Sequence, residues 1–480
     1  MKAIKYLVMS VLLMGFSTAV MAQDGTPADI DAVKNLVKAK PADYDKQIKN
    51  FVKANKKNNE NLIAIGRVLM EAEDYDNARQ FCTQALTNSK NTYAPAYVLL
   101  GDIAAMKEDG GEAAVNYEQA IYADPKAPEA YRKYATVYRK IDPEGAVQKL
   151  EDLRQQRPDY PVDALIGHIN YLSLRYGKAN EAYSKVPTDQ LKRMDFIEYA
   201  MSNYHGRQYD KALEIVKAGL AKEPLNATMN RIAMMCSNEL KSYPEALQYA
   251  ETLFTKVDKD SVTISDIDYQ NYGKAYYGNN QFEQAIAKFK EALALPTEEK
   301  DLHADLYKGI SDSYKSMKDF PSAIDAYKEF LGAKANADAT DNAGLGILYN
   351  SYARTLQGDE KTAVLTEADK VYAELITKFP DAEEYALWQR GRVNAQIDAD
   401  LSKGLAKPYF ERLGELINAH ETIDDADKAR LFDVHSFLMR YYVKNKDNKA
   451  ALENALKLQE LQPEDAEIKK VVEALEKAAN

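Results

Sequence analysis

Cysteine is nearly absent from this sequence of 480 residues, which contains only Cys82 and Cys236. Two cysteines cannot build the disulfide framework on which small secreted domains depend. Neither cysteine lies directly after the apolar run at the N-terminus. The lipid attachment common in exported bacterial lipoproteins is therefore excluded. Stability must therefore come from the packing of hydrophobic side chains, which make up 46% of the composition.

Motifs of enzymes and metal sites are missing as well. The five histidines form no HxH or HExxH pair that would place two imidazoles on one helix face for zinc. His420 and Glu421 resemble the start of such a helix, but Asp424 stands where the second ligand belongs. There is no glycine-rich phosphate loop, G-x-S-x-G elbow or Asx-rich calcium loop. We therefore predict no catalytic residue, no metal and no cofactor.

Long apolar runs are also lacking, apart from a short one near the N-terminus. Lys2 and Lys5 precede an apolar stretch over residues 7–16, and small residues follow up to Ala22. This is the layout of a secretory signal peptide cleaved after Ala22. The stretch is shorter than the roughly 20 residues that span a bilayer, and no later stretch qualifies. We expect residues 1–22 to be removed and no part of the mature chain to insert into a membrane.

The charge balance restricts the partners. Lysine and arginine number 63 against 74 aspartates and glutamates, a formal net charge of -11. Because an acidic chain repels phosphate groups, nucleic acid and anionic membranes are not expected as main partners. The scarcity of cysteine favours a bacterial periplasm. The sequon at Asn226 leaves a eukaryotic secretory origin open, so the expected location is periplasmic or secreted.

The sequence does contain a repeat with a period near 34 residues. In stretches that begin at Ala96, Phe196 and Tyr269, large residues recur at i, i+3 and i+7 over one run and, after a polar turn, over a second. Each unit is therefore a helical hairpin. The anchors are Tyr97, Leu100, Gly101, Ala113, Tyr117, Ala120 and Pro125 in the first stretch, and Tyr269, Tyr272, Gly273, Tyr276, Phe282, Ala285, Phe289 and Ala292 in the third. They resemble the tetratricopeptide motif.

The resemblance implies an all-α fold, an α-solenoid of about eleven helical hairpins that form a superhelix. The alanine of the second helix recurs at Ala78, Ala113, Ala146, Ala179, Ala212, Ala246, Ala285, Ala323, Ala368, Ala406 and Ala451. Small residues are expected there and at Gly101 and Gly273, because the two helices cross closely. In the repeat of Ala179 the first helix shows no clear small anchor, and the repeat of Ala406 is also degenerate.

Proline is expected to stop the second helix of several repeats, because it cannot continue a helix. These residues are Pro125, Pro158, Pro224, Pro380 and Pro463.

The spacing of the alanines also gives the domain plan. Gaps of 33 to 35 residues at the start widen to between 38 and 45 later, so the later repeats carry insertions. We predict N-terminal capping helices over 28–58, repeats 1–6 over 59–257, repeats 7–11 over 258–463 and a C-terminal capping helix over 464–480. The glycine-rich segment from Gly332 to Gly346 indicates a flexible hinge near residue 335.

A candidate binding groove follows from the first helices. Positions one step beyond the core stripe line the concave groove in the family that the repeats resemble. The groove residues are Arg132, Arg139, Ile197, Met201, Tyr204, Arg231, Met235, Lys274, Tyr277 and Lys308; Asp102, Gln270 and Asp312 lie on the same stripe. The mixture of apolar and basic residues suggests an acidic and hydrophobic segment as ligand. The alternative is that these side chains pack against neighbouring helices or are merely solvated.

Three functions are compatible with these features. The first is an exported scaffold or adaptor that binds peptide segments of envelope or outer-membrane assembly proteins. The second is a soluble binding protein for glycans or small ligands, with Trp388, Tyr171 and Tyr442 as the residues to test. Most of the 33 tyrosines fall on core positions, which weighs against this second function. The third is an enzyme formed by insertions in the C-terminal repeats. The lysine and asparagine pairs of chaperone-binding repeats are not found.

Overall fold

The computed structural model describes residues 27–258, 262–297 and 301–479. The expected signal peptide lies outside the described residues. Within these ranges the chain forms helices and turns and no strand, so the all-α prediction is confirmed. No helix in the described part combines the length and the apolar character needed to cross a bilayer.

Eleven helical hairpins follow one another along the chain, preceded by α1 (Pro27–Ala39) and α2 (Tyr44–Ala54) and followed by α25 (Ala466–Ala479). The hairpins are α3 (Asn59–Glu71) with α4 (Tyr75–Asn88), α5 (Ala94–Met106) with α6 (Gly110–Ala123), α7 (Pro128–Tyr138) with α8 (Pro143–Gln156), α9 (Val162–Leu172) with α10 (Tyr176–Tyr183), α11 (Arg193–His205) with α12 (Tyr209–Lys222), α13 (Ala227–Glu239) with α14 (Tyr243–Glu251), α15 (Asp266–Gly278) with α16 (Phe282–Leu293), α17 (Leu302–Ser316) with α18 (Phe320–Ala333), α19 (Ala339–Ala353) with α20 (Gly358–Lys378), α21 (Glu383–Ile397) with α22 (Lys407–Asn418), and α23 (Asp425–Lys444) with α24 (Asn448–Leu461). The predicted number of about eleven is confirmed.

The chain divides into two compact units, one that ends at Cys236 and one that begins at Ser237. The division falls inside α13, ahead of the loop near residue 258 at which the sequence suggested a boundary. Within each unit, helices that are neighbours in sequence pack against each other. This local connectivity is the property that defines a solenoid.

The second-helix alanines occupy the closest packing positions. All eleven have no exposed surface. In five hairpins the aromatic residue four positions after the alanine lies on a glycine of the first helix: Tyr117 on Gly101, Tyr183 on Gly167, Phe289 on Gly273, Tyr372 on Gly346 and Phe410 on Gly391. A Cβ on Gly167 would lie 2.8 Å from the ring of Tyr183, so no larger residue fits without displacing the ring. The small residue at the crossing is thus required by an aromatic ring of the partner helix.

These contacts correct one expectation. The repeat of Ala179 does have a small anchor in its first helix, namely Gly167, which precedes the alanine by the same 12 residues as Gly101 precedes Ala113. In the repeat of Ala406 the anchor is Gly391. The five closing prolines behave as predicted, since each stands two residues beyond the end of a helix.

The segment from Gly332 to Gly346 is mostly helical. Helix α18 extends to Ala333 and α19 begins at Ala339, which leaves residues 334–338 between them. Lys334 forms an ion pair of 2.6 Å with Asp341 across this turn. Gly346 packs on Tyr372, so it serves close packing and not flexibility. The extra length of the later repeats lies largely in two long helices, α20 with 21 residues and α23 with 20.

Candidate functional site: the first-helix face

The ten groove residues predicted from the sequence lie on or directly after first helices. Seven belong to the first unit, on α7, α11 and α13, and three to the second unit, on α15 and α17. Eight of them are half-buried, whereas Lys274 and Tyr277 are exposed. We call the surface that these residues form in each unit the first-helix face.

Several of these side chains already contact protein groups. Arg139 donates a hydrogen bond of 3.3 Å to the carbonyl oxygen of Leu172 in the next hairpin, and burial lowers the pKa of its guanidinium. The ring of Tyr204 lies 5.2 Å from that of Tyr209. Lys308 donates to both carboxylate oxygens of Asp312 at 2.7 and 2.6 Å. At these positions the first-helix face contributes to packing as well as to the surface.

Two buried polar clusters occupy equivalent positions in the first unit. In the first cluster the hydroxyl of Tyr117 donates to Asp102 at 2.8 Å, and the ammonium of Lys133 in the next hairpin lies 2.5 Å from the other carboxylate oxygen. The side chains of Lys133 and Asp102 are only 9% and 6% exposed, so this is a buried ion pair. Burial, followed by the charge of Asp102, raises the pKa of Tyr117. Its hydroxyl therefore remains a donor.

In the second cluster the acidic side chain comes from the next hairpin and the basic side chain from the same hairpin. Tyr183 donates to Glu198 of the next hairpin at 2.6 Å, and Nδ1 of His168 lies 2.9 Å from both oxygens of that carboxylate. His168 follows Gly167 as Asp102 follows Gly101. Burial and the charge of Glu198 raise the pKa of Tyr183. In both clusters a tyrosine hydroxyl and a pair made of one acidic and one basic side chain close the space between consecutive hairpins.

At the corresponding place in the second unit there is an open cavity of about 300 Å³. It is lined by Asn238, Glu239, Tyr243, Gln270, Lys274, Tyr277, Phe289, Asp305, Gly309 and Asp312. Phe289 stands where the clusters have tyrosine, Lys274 follows Gly273, and Gly309 occupies the position of Lys133 or Glu198, two residues before the small residue of the next first helix. A Cβ on Gly309 would lie 2.9 Å from the Phe289 ring. Gly309 therefore contributes no side chain that could close the space between these two hairpins.

A third group joins hairpins ten and eleven. The imidazole of His420 lies 2.9 Å from Asp427 through Nδ1 and 2.7 Å from Glu384 through Nε2. Arg430 adds a contact of 3.2 Å to Glu384. The ligand atoms of the three residues lie within 4.8 Å of one another, close enough for a metal ion. However, both ring nitrogens are used by carboxylates and a guanidinium already supplies positive charge, so the group acts as an ionic staple.

The sequence missed this ionic staple because its members come from three separate segments: α21, the turn after α22, and α23. His420 was noted only for its neighbour Glu421, which takes no part in the cluster. The capping position of Asp427, three residues after Asp424, was the one local signal available.

The aromatic residues proposed for glycan binding are not free platforms. Trp388 donates from its indole nitrogen to Asp433 at 2.8 Å, and the guanidinium of Arg392 lies 4.8 Å from the centre of its ring. The hydroxyl of Tyr442 donates to Glu411 at 3.3 Å. Trp388, Tyr442 and Tyr171 are all half-buried. Tyr122, which the sequence did not single out, is 85% exposed.

Helical hairpins joined in series define the class of helical-repeat proteins. Residues 273–339 match the family model described as tetratricopeptide repeat, so this part of the chain consists of tetratricopeptide repeats. No curated protein sequence matches the chain significantly.

Two solved structures of bacterial repeat proteins are similar to parts of the chain. The C-terminal part of a repeat-containing protein from Cytophaga hutchinsonii is 23% identical, covers 57% of this chain and 98% of its own, and has a TM-score of 0.47. A tetratricopeptide repeat protein from Parabacteroides merdae is 17% identical, with coverages of 52% and 98% and a TM-score of 0.36. Tetratricopeptide repeats in general serve as scaffolds for protein–protein interaction, and this chain carries such repeats.

Proposed function

We propose that this protein is an exported adaptor that binds segments of envelope proteins on its first-helix face. The observation that carries the proposal is the cavity between α13, α15 and α17, which opens among first-helix residues of three consecutive hairpins. Extended or helical segments bind to concave surfaces of helical repeats through side chains presented at regular intervals. Lys274 and Tyr277, two of the residues selected from sequence, line this cavity.

Half-buried side chains form the proposed surface in the first unit. Arg132, Ile197 and Met201 retain part of their area for contact with a partner. Methionine adapts to irregular apolar surfaces, and arginine gives directional bonds to carboxylates. An acidic and hydrophobic segment is the ligand that these side chains favour in the first unit.

Export is the second part of the proposal, supported by the N-terminal sequence. Cell fractionation followed by sequencing of the mature N-terminus tests it directly. We expect the protein in the periplasm or medium with Gln23 as its first residue. Recovery of the full chain, including residues 1–22, from the cytoplasm contradicts export.

The binding proposal is tested by capture of partners from envelope extract with the mature chain. The test variant carries Arg132→Glu, Met201→Glu and Arg231→Glu. A matched control introduces the same change of charge on exposed second-helix residues through Lys178→Glu, Lys370→Glu and Thr83→Glu. We expect partners to be lost from the test variant and retained by the control. An unchanged partner set in the test variant shows that the first-helix face is not the binding surface.

A further inference from the structure

The cavity of the second unit is the open counterpart of the two polar clusters in the first. At those clusters the chain supplies an acidic side chain, a basic side chain and a tyrosine hydroxyl. At the cavity the three corresponding residues are Lys274, Phe289 and Gly309, and they make no such bond to one another. The Phe289 ring packs on Gly309, and a partner side chain can enter the cavity beside this ring and Lys274.

The charge of the lining indicates which side chain fits. Three carboxylates, Glu239, Asp305 and Asp312, face one ammonium group, that of Lys274. Asp312 is held by Lys308, whereas Glu239 and Asp305 form no ion pair with a lysine or arginine in the described part of the chain. The lining therefore has an excess of uncompensated negative charge, which favours a cation.

A second observation points to a hydrogen-bond donor. Asn238 lines the cavity and is 8% exposed, and its Oδ1 has no hydrogen-bond partner among the described residues. Its Nδ2 donates to the carbonyl oxygen of Asn271 at 2.9 Å, so reversal of the amide would bring two oxygens together. A buried acceptor without a donor is costly, and a ligand N–H group would remove that cost.

The walls are aromatic. Tyr243, Tyr277 and Phe289 line the cavity, and aromatic faces attract ammonium and guanidinium groups. A volume of about 300 Å³ is at the lower end of the range for ligand pockets, which suits one long side chain of an extended segment.

We propose that this cavity receives a lysine or arginine side chain from a basic segment of the partner protein. The inference rests on the proposed adaptor function and specifies the partner chemistry for the second unit. The cationic group pairs with Glu239 and Asp305 and stacks on the tyrosine rings, while Lys274 limits how much positive charge the site accepts. The ligand of this cavity is thus opposite in charge to the acidic segment expected from the groove residues.

Capped nine-residue peptides of alanine and leucine that differ only at the central residue test this inference by fluorescence anisotropy. The central residue is arginine, its neutral isostere citrulline, or glutamate. We expect the arginine peptide to bind the mature protein about tenfold more tightly than the other two. The Glu239→Gln, Asp305→Asn variant should lose this preference, and Lys274→Gln should strengthen it. The control variant Asp325→Asn, Glu329→Gln removes two exposed acids of α18 and should leave it unchanged.

Equal binding of the three peptides overturns the inference, as does tighter binding of the glutamate peptide or no binding of any peptide up to millimolar concentration. Retention of the arginine preference in the Glu239→Gln, Asp305→Asn variant also overturns it, provided that circular dichroism shows an unchanged fold. The adaptor proposal has its own test: an unchanged partner set in the capture experiment with the first-helix variant would contradict it, whatever the result with the peptides.

Discussion

The carboxylate that accepts a hydrogen bond from Tyr117 comes from its own hairpin, at Asp102, whereas the carboxylate that accepts from the equivalent Tyr183 comes from the next hairpin, at Glu198. The basic side chain changes sides in the opposite direction: it is Lys133 of the next hairpin in the first cluster and His168 of the same hairpin in the second. In both clusters the space between two consecutive hairpins is closed by a tyrosine hydroxyl and an acid–base pair, and either hairpin can supply the acid. In the cavity of the second unit, the corresponding positions supply neither the tyrosine hydroxyl nor the acidic partner. We therefore interpret this cavity as a site for a charged side chain of a partner protein.

The buried pair of Asp102 and Lys133 predicts an asymmetric mutational response. Lys133→Met should destabilise hairpins two and three by about 3–5 kcal/mol, because it leaves a buried carboxylate without its cation. Hydrogen exchange of the amides in α5 to α8 measures this local effect, which a single melting temperature of a repeat protein would obscure.

The control for this prediction is the double variant Asp102→Asn, Lys133→Met. Removal of both charges should restore most of the lost protection, since no unpaired charge remains. If the double variant is as unstable as Lys133→Met, loss of packing by the lysine stem is responsible and the ion pair is not.

Glycine at the helix crossing predicts a position-specific effect within one hairpin. Gly167→Ala should destabilise hairpin four by about 1–3 kcal/mol, because its Cβ would lie 2.8 Å from three atoms of the Tyr183 ring. Gly177→Ala, in the partner helix, places its Cβ in open space and should be neutral or stabilising by up to about 1 kcal/mol. Urea titration followed by hydrogen exchange compares the two. Similar effects of both substitutions would contradict the crossing geometry.

The repeat pattern made the fold predictable from local information. Alanine spacing located all eleven hairpins, and the distance of 12 residues from Gly101 to Ala113 would also have identified Gly167. Near residue 335 two of the three glycines, Gly344 and Gly346, lie inside helix α19 and pack on the rings of Tyr327 and Tyr372. The sequence of a glycine-rich segment does not show whether its glycines give flexibility or allow close contact.

The charged joints were not predictable in this way. Asp102 and Lys133 are 31 residues apart, and His168 and Glu198 are 30 apart, so their pairing depends on how one hairpin sits on the next. The cavity was hidden for the same reason: Gly309 is not the crossing residue of its own hairpin, which is Ser311. Only the contact of Gly309 with Phe289 of the preceding hairpin reveals its role.

Burial of the thiols predicts resistance to modification. Cys82 and Cys236 form no disulfide in the described part of the chain and have no exposed surface, and desolvation raises the pKa of Cys82 to about 12. Because the thiolate is the reactive form, neither thiol should react with Ellman's reagent at pH 8 until the protein is unfolded. Titration in buffer and in denaturant, with peptide mapping, distinguishes the two sites. Stoichiometric labelling of Cys82 in the folded protein would contradict its burial.

Two histidines of the last hairpins should titrate in opposite directions. Hydrogen bonds to Asp427 and then to Glu384 raise the pKa of His420, whereas burial lowers the pKa of His435, whose Nδ1 contacts Asn454 at 2.9 Å. In NMR titrations of the imidazole Cε1–H signals, assigned with His420→Gln and His435→Gln, His420 should titrate above about 6.5 and His435 below it.

The raised pKa of His420 also fixes how the stability of the ionic staple depends on pH. A group whose pKa is higher in the folded state stabilises that state fully below its unfolded value of about 6.5, and the contribution disappears as the pH rises through the folded pKa. Burial opposes ionisation of Asp427, but hydrogen bonds from His420 and the main chain of Asp424 keep its pKa below the usual value, so acid weakens the staple only when that carboxylate is protonated. The difference in opening free energy between wild type and His420→Gln, measured by hydrogen exchange of the amides in α21 to α23, should therefore be largest near pH 5–6 and shrink at higher pH. A difference that grows from pH 6 to pH 9 would mean that neutral His420 is the form bound between the two carboxylates.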